Sequence, residues 1–176
     1  MFLSSVTGNK LVFDIDVTVC KILQPNIKYQ RSIFFMSNIF HLAIPAGSLS
    51  ITIPFYIETL GCTLGPNEIG KWQDIDFWGN ELTLHESTPR LVKGHDRERH
   101  DVEMGQVCVP HFGIHLDWEI YNQVKGSVLK TVGFLDEPYI RFEGQVTKQE
   151  TFFVEDPNLN VLEIKSLQGT YYKDKP

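Results

Sequence analysis

The hydrophobic pattern of the chain shows two similar units, one after the other. Each begins with an apolar, strand-like run that contains a histidine, followed by a helix-like stretch that ends in an apolar residue and glycine. The first unit has a strand over 39–45 and a helix over 49–60, and the second has a strand over 107–117 and a helix over 118–132. The pattern therefore predicts a repeated order of strand, helix and then several strands.

The strands that follow each helix are predicted from alternating apolar and polar residues. In the first unit such runs cover 71–78 and 81–86. In the second unit they cover 139–143, 150–154 and 161–167. Both units are therefore expected to continue as several strands after the helix.

Two stretches depart from this regular pattern. Pro54 lies inside the first predicted helix, where a proline removes a backbone hydrogen bond and costs about 3 kcal/mol. We therefore expect this helix to begin late or to bend. Residues 88–106 carry many charges without apolar periodicity, and they are predicted to form a solvated connection between the units.

Residues 1–35 are predicted to be an extension that precedes the repeated units. The run 13–19 alternates apolar and polar residues and fits an edge strand; alternatively, translation begins at Met36 and the upstream residues result from a misassigned start codon. An intact mass of the native protein that includes Met1 would exclude the second explanation. The predicted organisation is an extension at 1–35, a main domain at 36–170 with module one at 38–87, a loop at 88–106 and module two at 107–168, and a tail at 171–176.

Composition limits the classes of protein to which the chain can belong. Its 176 residues match the size of a single domain, and 42% hydrophobic residues exclude a disordered segment. A net charge of -6 without basic stripes predicts no nucleic-acid partner. No run approaches the roughly 20 apolar residues that span a bilayer, so no membrane association is predicted. The cysteines Cys20, Cys62 and Cys108 are odd in number and widely spaced, which predicts a reducing, cytoplasmic compartment.

The repeat also identifies candidate metal ligands. His41 and His111 occupy the same place in the two units, and two copies of one fold can direct corresponding side chains into a shared cavity. Glu163 lies between two apolar residues in the last predicted strand, and a carboxylate that faces inward there needs a partner. These three residues are therefore the first candidates for binding a metal ion.

Two further histidines compete for a role in this site. Matching Asn80 with Asn160 places Thr83 opposite Glu163, and His85 then lies two residues further on the same strand face. The site has either three protein ligands or His85 as a fourth. His115 lies four residues after His111, about 13 Å along a strand, so the two cannot bind the same ion, and the repeat favours His111.

Four segments in a fixed order resemble the vicinal oxygen chelate superfamily, which includes glyoxalase I, extradiol dioxygenases, fosfomycin-resistance enzymes and bleomycin-resistance proteins. The segments are 40–44, 55–61, 110–114 and 152–163, and the resemblance covers 38–167. It implies an α+β fold of two βαβββ modules, whose curved mixed sheets surround a central cavity. It further implies a divalent metal ion in this cavity and, commonly, a homodimer.

In that superfamily the ligands come from the first and last strands of each module, which implies His41, His111 and Glu163. Imidazole and carboxylate suit Fe, Mn, Zn, Ni or Co. Two histidines and one carboxylate leave open positions for substrate and oxygen, as in dioxygenases. A set of four ligands is closer to the glyoxalases, in which a carboxylate also moves the proton, so Glu163 is the predicted catalytic residue.

The resulting hypothesis is a metal-dependent enzyme that acts on a small molecule through bidentate chelation of vicinal oxygens, with a dioxygenase-like reaction favoured. The alternatives are a glyoxalase-like lyase or isomerase, or a metal-free small-molecule binding protein of the bleomycin-resistance type. One departure concerns Lys148, which stands where many relatives carry a glutamate. The predicted substrate-binding residues are four aromatic residues and one cation: Trp72, Trp78, Phe112, Tyr139 and Arg141.

Overall fold

The computed structural model describes residues 38–90, 98–102 and 105–167. The predicted extension at 1–35 and the predicted tail at 171–176 lie outside these residues. Within them, most of the chain forms two four-stranded sheets and two helices.

The first module is a four-stranded mixed sheet with one irregular helix. Its elements are β1 (His41–Pro45), α1 (Leu49–Pro54) with a π-helical continuation (Phe55–Thr59), β2 (Thr63–Glu68), β3 (Trp72–Phe77) and β4 (Asn80–His85). The strand order is β1-β4-β3-β2, in which β1 and β4 are parallel and the other pairs are antiparallel.

A hairpin separates the two modules, and it consists of β5 (Arg99–Val102) and β6 (Gly105–Cys108). The second module then repeats the plan of the first. Its elements are β7 (Phe112–His115), α2 (Trp118–Thr131), β8 (Asp136–Arg141), β9 (Gln149–Glu155) and β10 (Val161–Leu167). The strand order is β7-β10-β9-β8, with β7 and β10 parallel. The predicted fold class, α+β with two βαβββ modules and mixed sheets, is confirmed.

The hairpin corrects the prediction that 88–106 is a connection without strands, while the described residues of this segment are largely exposed. Val107 and Cys108 are buried against Phe153 and Val161 of the second sheet. The predicted strand over 107–117 is also wrong in its middle, because β6 ends at Cys108 and β7 starts only at Phe112. The apolar residues of the hairpin are too few to show an alternating pattern.

Proline changes the first helix in a way that was only partly predicted. The helix begins at Leu49, so the expectation of a late start is wrong. Immediately after Pro54 the backbone widens, and the amide of Leu60 donates to the carbonyl of Phe55, five residues back, at 3.1 Å. The predicted irregularity is therefore a π-helical turn, which Gly61, with a φ of 79°, ends.

Besides the strands of the hairpin, strand β2 was missed altogether. Strand β2 is exposed along nearly its whole length, contains Gly65 and Pro66, and shifts register between Leu64 and Asn67. It is the edge of its sheet, so it needs no apolar face, and periodicity cannot detect it.

The hydrophobic core joins both modules. Tyr56 of the first module and Tyr121 of the second are fully buried in the same cluster. Strand β10 contributes Leu162 and Ile164 to this cluster. Because side chains alternate along a strand, Glu163 faces the other side of the second sheet.

A buried polar cluster ties the last turn of the second module to the first. The carboxylate of Asp156 accepts hydrogen bonds from the hydroxyl of Tyr56 at 3.1 Å and from the side-chain amide of Asn160 at 2.7 Å. It also accepts from the backbone amides of Asn158 and Asn160 at 2.9 and 2.8 Å. Both asparagine side chains donate to the carbonyl of Pro45, at 2.7 and 2.9 Å. Asp156 thus fixes the turn that holds β1 beside β10.

Replacing Asp156 with alanine should test this role. The Asp156→Ala protein leaves several buried donors without an acceptor, so we expect a loss of about 2–3 kcal/mol in the free energy of unfolding. Urea denaturation measures this loss. Tyr56→Phe removes a single hydrogen bond and should cost about 1 kcal/mol; equal losses in the two variants would contradict the assignment.

Candidate metal centre

The strand registers show which residues of the two modules correspond. Ala43 pairs with Thr83 across the parallel strands of the first sheet, and Gly113 pairs with Glu163 across those of the second. When Asn80 is matched with Asn160, as in the sequence comparison, Thr83 corresponds to Glu163 and these registers match Ala43 with Gly113. By the same registers His41 corresponds to His111.

Two of the predicted ligands meet within one chain. His111 lies directly before β7, and its Nε2 atom is 3.2 Å from Oε2 of Glu163. Its other ring nitrogen, Nδ1, is 2.5 Å from the carbonyl oxygen of Cys108. Because a carbonyl can only accept, Nδ1 carries a hydrogen, and the neutral ring has its lone pair on Nε2. A backbone carbonyl holds metal-binding histidines in this way.

Glu163 is buried, with 4% of its surface exposed. Its Oε1 accepts from the hydroxyl of Thr151 at 3.0 Å, and its Oε2 is 2.8 Å from Nζ of Lys165. Burial opposes ionisation, but the hydrogen bonds from His111 and Lys165 outweigh it and lower the pKa of Glu163 to about 2. The carboxylate is therefore charged at neutral pH, which is the form that binds a cation.

The pKa of His111 shifts in the opposite direction. Its hydrogen bond with Glu163 raises the pKa, although burial of the ring partly opposes this shift. Because the ionised carboxylate can only accept, this hydrogen bond requires a proton on Nε2 as well as on Nδ1. In the metal-free protein the pair is thus an imidazolium ring beside a carboxylate, and a metal ion would have to displace the proton on Nε2.

The other predicted ligands lie elsewhere in the chain. Nδ1 of His41 is 2.6 Å from Oε1 of Glu81, and both side chains are about half exposed. His85 is exposed at the end of β4, next to Trp72 of β3 in the register. No group of three or more histidine, cysteine, aspartate or glutamate side chains suited to a metal ion exists among the described residues. A single chain therefore does not gather the predicted ligand set.

The predicted substrate-binding residues are dispersed. Phe112 lines a cavity of about 360 Å³, which His111 also borders. Trp78 contacts Phe77 in the turn between β3 and β4, and Tyr139 packs on the second, smaller hydrophobic cluster. Trp72 lies on β3 and Arg141 lies over the ring of Phe142; neither of these residues lines the cavity.

Sequence reasoning missed Lys165, whose Nζ lies 2.8 Å from Oε2 of Glu163. The alternation of side chains along a strand could have identified this lysine, because residues 163 and 165 lie on the same face of the strand. The registers also show that Lys165 corresponds to His85 of the first module. The position that offers a histidine in one module therefore offers an ammonium group in the other.

The low pKa of Glu163 predicts how the stability of the metal-free protein depends on pH. A carboxylate with a lowered pKa contributes stability above its unfolded value of 4.5, and this is lost as the pH falls towards 2. The shift corresponds to about 3 kcal/mol. We therefore expect the free energy of unfolding of chelator-treated protein, measured with urea, to fall as the pH is lowered. Glu163→Gln should lack this fall. Identical pH profiles for the two proteins would contradict this expectation.

Several solved structures resemble this chain. A glyoxalase/bleomycin resistance protein/dioxygenase from Alicyclobacillus acidocaldarius is 30% identical, over 76% of this chain and 94% of its own, with a TM-score of 0.56. The fosfomycin resistance protein FosX from Listeria monocytogenes is 12% identical, over 74% of this chain and 93% of its own, with a TM-score of 0.51. A virulence protein from Salmonella typhimurium is 19% identical, over 74% and 97%, with a TM-score of 0.51.

No protein-family profile matches the chain, and no curated protein sequence matches it. The identity to the Alicyclobacillus acidocaldarius protein extends over nearly the whole of that chain. With the paired βαβββ modules, it shows that this protein belongs to the vicinal oxygen chelate superfamily, the group of the glyoxalases, bleomycin resistance proteins and dioxygenases. Neither helix in the described part of the chain is long and apolar enough to cross a membrane.

Proposed function

We propose that the protein is a metal-dependent enzyme that chelates two neighbouring oxygen atoms of a small molecule, with a dioxygenase-like reaction favoured. The observation that carries this proposal is the pairing of His111 with Glu163 at 3.2 Å. The carboxylate is ionised, and the hydrogen bond from Nδ1 to the carbonyl of Cys108 orients the ring so that Nε2 can bind a cation once it loses its proton.

These residues fit a divalent ion of the Fe, Mn, Zn, Ni or Co type, which imidazole and carboxylate ligands suit. When bound, such an ion supplies Lewis acidity and open coordination positions for a bidentate substrate. His111 and Glu163 would hold it, while Thr151 fixes the carboxylate through a hydrogen bond of 3.0 Å. Glu163 is also the group that can accept a proton from the substrate.

The third ligand is proposed to come from a second copy of the chain. His41 lies in the first sheet, where it pairs with Glu81, and the described residues of one chain do not assemble a three-ligand group. In a two-fold symmetric dimer, the first sheet of one copy can face the second sheet of the other, and this produces two equal sites. His85 lies in the same sheet as His41, so as a fourth ligand it would come from the same copy.

A metal-free binding protein is the second candidate, and one observation favours it. Lys165 and Thr151 satisfy both oxygens of Glu163, so the buried carboxylate is stable without a metal ion. The relative at 30% identity also carries bleomycin resistance in its name.

Metal analysis of protein purified without added metal separates these candidates. We expect about one divalent ion per chain in the unmodified protein and none in His111→Ala. His100→Ala is the matched control, because His100 is exposed in the hairpin and pairs with Glu98. Iron would favour the dioxygenase-like reaction, and zinc or nickel would favour a glyoxalase-like lyase or isomerase. Unmodified protein that contains no metal would support the binding protein.

Lys165 should weaken metal binding, because its charge competes for Oε2 of Glu163 and repels a cation placed there. We expect Lys165→Met to bind zinc at least about tenfold more tightly, measured by competition with a chelating dye. Lys130→Met, in the last turn of α2, is the control and should leave the affinity unchanged. Weaker binding by Lys165→Met would show instead that the lysine supports the site.

A further inference from the structure

A cavity of about 360 Å³ lies where the first module meets the segment that precedes β7. Leu42 and Ile44 of β1 form one wall, and Val109, Phe112 and Val161 of the second module form the other. These side chains are apolar, so the cavity favours an apolar molecule over an inorganic ion.

The size of the cavity limits the molecule that it can hold. A volume of about 360 Å³ lies at the lower end of the range for small-molecule sites. Roughly a dozen water molecules occupy the same volume in liquid water. A compound with one or two rings, or a short branched chain, therefore fits, whereas a nucleotide or a peptide does not.

One arginine or lysine stands among the residues that line the cavity, and in the described part of the chain no carboxylate does. This cation is Arg90, whose backbone amide donates to Oδ1 of Asn158 at 2.9 Å. Its guanidinium Nη1 donates to Oδ1 of Asn160 at 3.2 Å. These two hydrogen bonds fix the arginine to the turn that also holds β1.

Among residues 38–90, 98–102 and 105–167, Asn160 is the acceptor for this guanidinium, which leaves its other N–H groups to a ligand. A guanidinium presents a fork of N–H groups that matches a carboxylate or sulfonate. Asn160 cannot compete for such an anion, because its amide nitrogen already donates to the carbonyl of Pro45 and to Asp156. Arg90 is exposed, so it marks the mouth of the cavity, and the apolar walls lie deeper.

We propose that this cavity binds a small organic anion, with its apolar body between the two modules and its acidic group on Arg90. The cavity is bordered by His111, so the bound molecule lies beside the proposed metal ligand. A small organic anion would then be the substrate class of the enzyme, and this assignment of the bound anion as substrate rests on the proposed function. Binding itself requires no metal.

A pair of fluorescent probes tests the proposal in the presence of a chelator. The probes are 5-(dimethylamino)naphthalene-1-sulfonate, which is anionic, and 1-(dimethylamino)naphthalene, which has the same two rings without the sulfonate. We expect Arg90→Gln to weaken binding of the sulfonate at least about tenfold and to leave binding of the neutral probe unchanged. Lys130→Gln is the matched control, because Lys130 is an exposed cation in the last turn of α2 that does not line the cavity, and it should change neither affinity.

A second variant tests whether the probes occupy this cavity. Leu42→Trp fills the space next to Ile44 and should remove binding of both probes, with circular dichroism confirming that the protein is folded. If Leu42→Trp does not fold, phenylacetate can be used instead to compete with the sulfonate probe. We expect phenylacetate to displace the probe from the unmodified protein and to lose this effect in Arg90→Gln. Sulfonate binding that persists at full strength in Arg90→Gln, or equal weakening of both probes, would overturn the proposal.

The outcome is independent of the metal proposal. Charge-selective probe binding, by a protein that is also found to carry no metal as purified, would support the anion site and reject the metal-dependent enzyme. Metal in the protein without charge-selective probe binding would support the metal site and reject the anion site.

Discussion

A mixed dimer of one His41→Ala chain and one His111→Ala chain is expected to bind one metal ion, about half the content of the unmodified dimer. In the proposed arrangement each site takes His41 from one copy and His111 with Glu163 from the other. One site of this mixed dimer then lacks both histidines, and the other site is intact. Each variant alone is expected to bind no metal, because every site lacks a ligand.

The same two substitutions placed in one chain give the opposite result. A dimer of the double variant with an unmodified chain has one histidine missing from each site, so we expect it to bind no metal. If the sites formed within single chains, the unmodified chain would keep one ion and the first mixed dimer would keep none. The two mixed dimers are therefore expected to have opposite metal contents in the two arrangements. The metal content of the unmodified dimer is the reference for both.

Coexpression of chains with two different affinity tags isolates the mixed dimers, and metal analysis counts their ions. The measurement also tests the predicted homodimer, because doubly tagged protein is recovered only if chains associate. A single ion in the dimer that carries both substitutions on one chain would reject the site shared between copies. It would then assign His41, His111 and Glu163 to one chain.

The fold was predictable from sequence wherever one face of an element is buried. The last predicted strand, 161–167, matches β10 at both ends, because its apolar residues alternate against a continuous core. The helix over 118–132 is α2 to within a residue. Strand β2 and the hairpin were missed because their pairing depends on backbone hydrogen bonds, which leave no periodic pattern in the side chains.

The candidate site was predictable only in part, for a related reason. The repeat selects His111 and Glu163, and parallel pairing of β7 with β10 brings these residues together. The position of His41 relative to them depends on how sheets face one another, which no local pattern specifies. Lys165 was not predicted as part of the site because a lysine in a strand usually faces solvent.

One residue of this site has a role that depends on having no side chain. Gly113 pairs with Glu163 in the register of β7 with β10. A Cβ atom added at Gly113 would fall well inside van der Waals contact with the carbonyl oxygen and carbon of Glu163. These are backbone atoms of the central strand pair, so they cannot rotate away as a flexible side chain could.

Gly113→Ala is therefore expected to be among the most destabilising single substitutions in the protein. To accept the methyl group, β7 must separate from β10 and lose ladder hydrogen bonds, so we expect a loss of at least about 4 kcal/mol in the free energy of unfolding. The separation also moves His111 away from Glu163, so metal content should fall with stability. Urea denaturation and metal analysis measure the two effects.

Gly126→Ala is the matched control for this substitution. Gly126 lies in the middle of α2, and an added Cβ there meets nothing within 4 Å. Since glycine inside a helix is less stable than alanine, we expect this variant to be more stable by about 0.5–1 kcal/mol and to keep its metal. A Gly113→Ala protein as stable as Gly126→Ala would show that β7 and β10 are not packed this closely, and the geometry proposed for His111 and Glu163 would then be wrong.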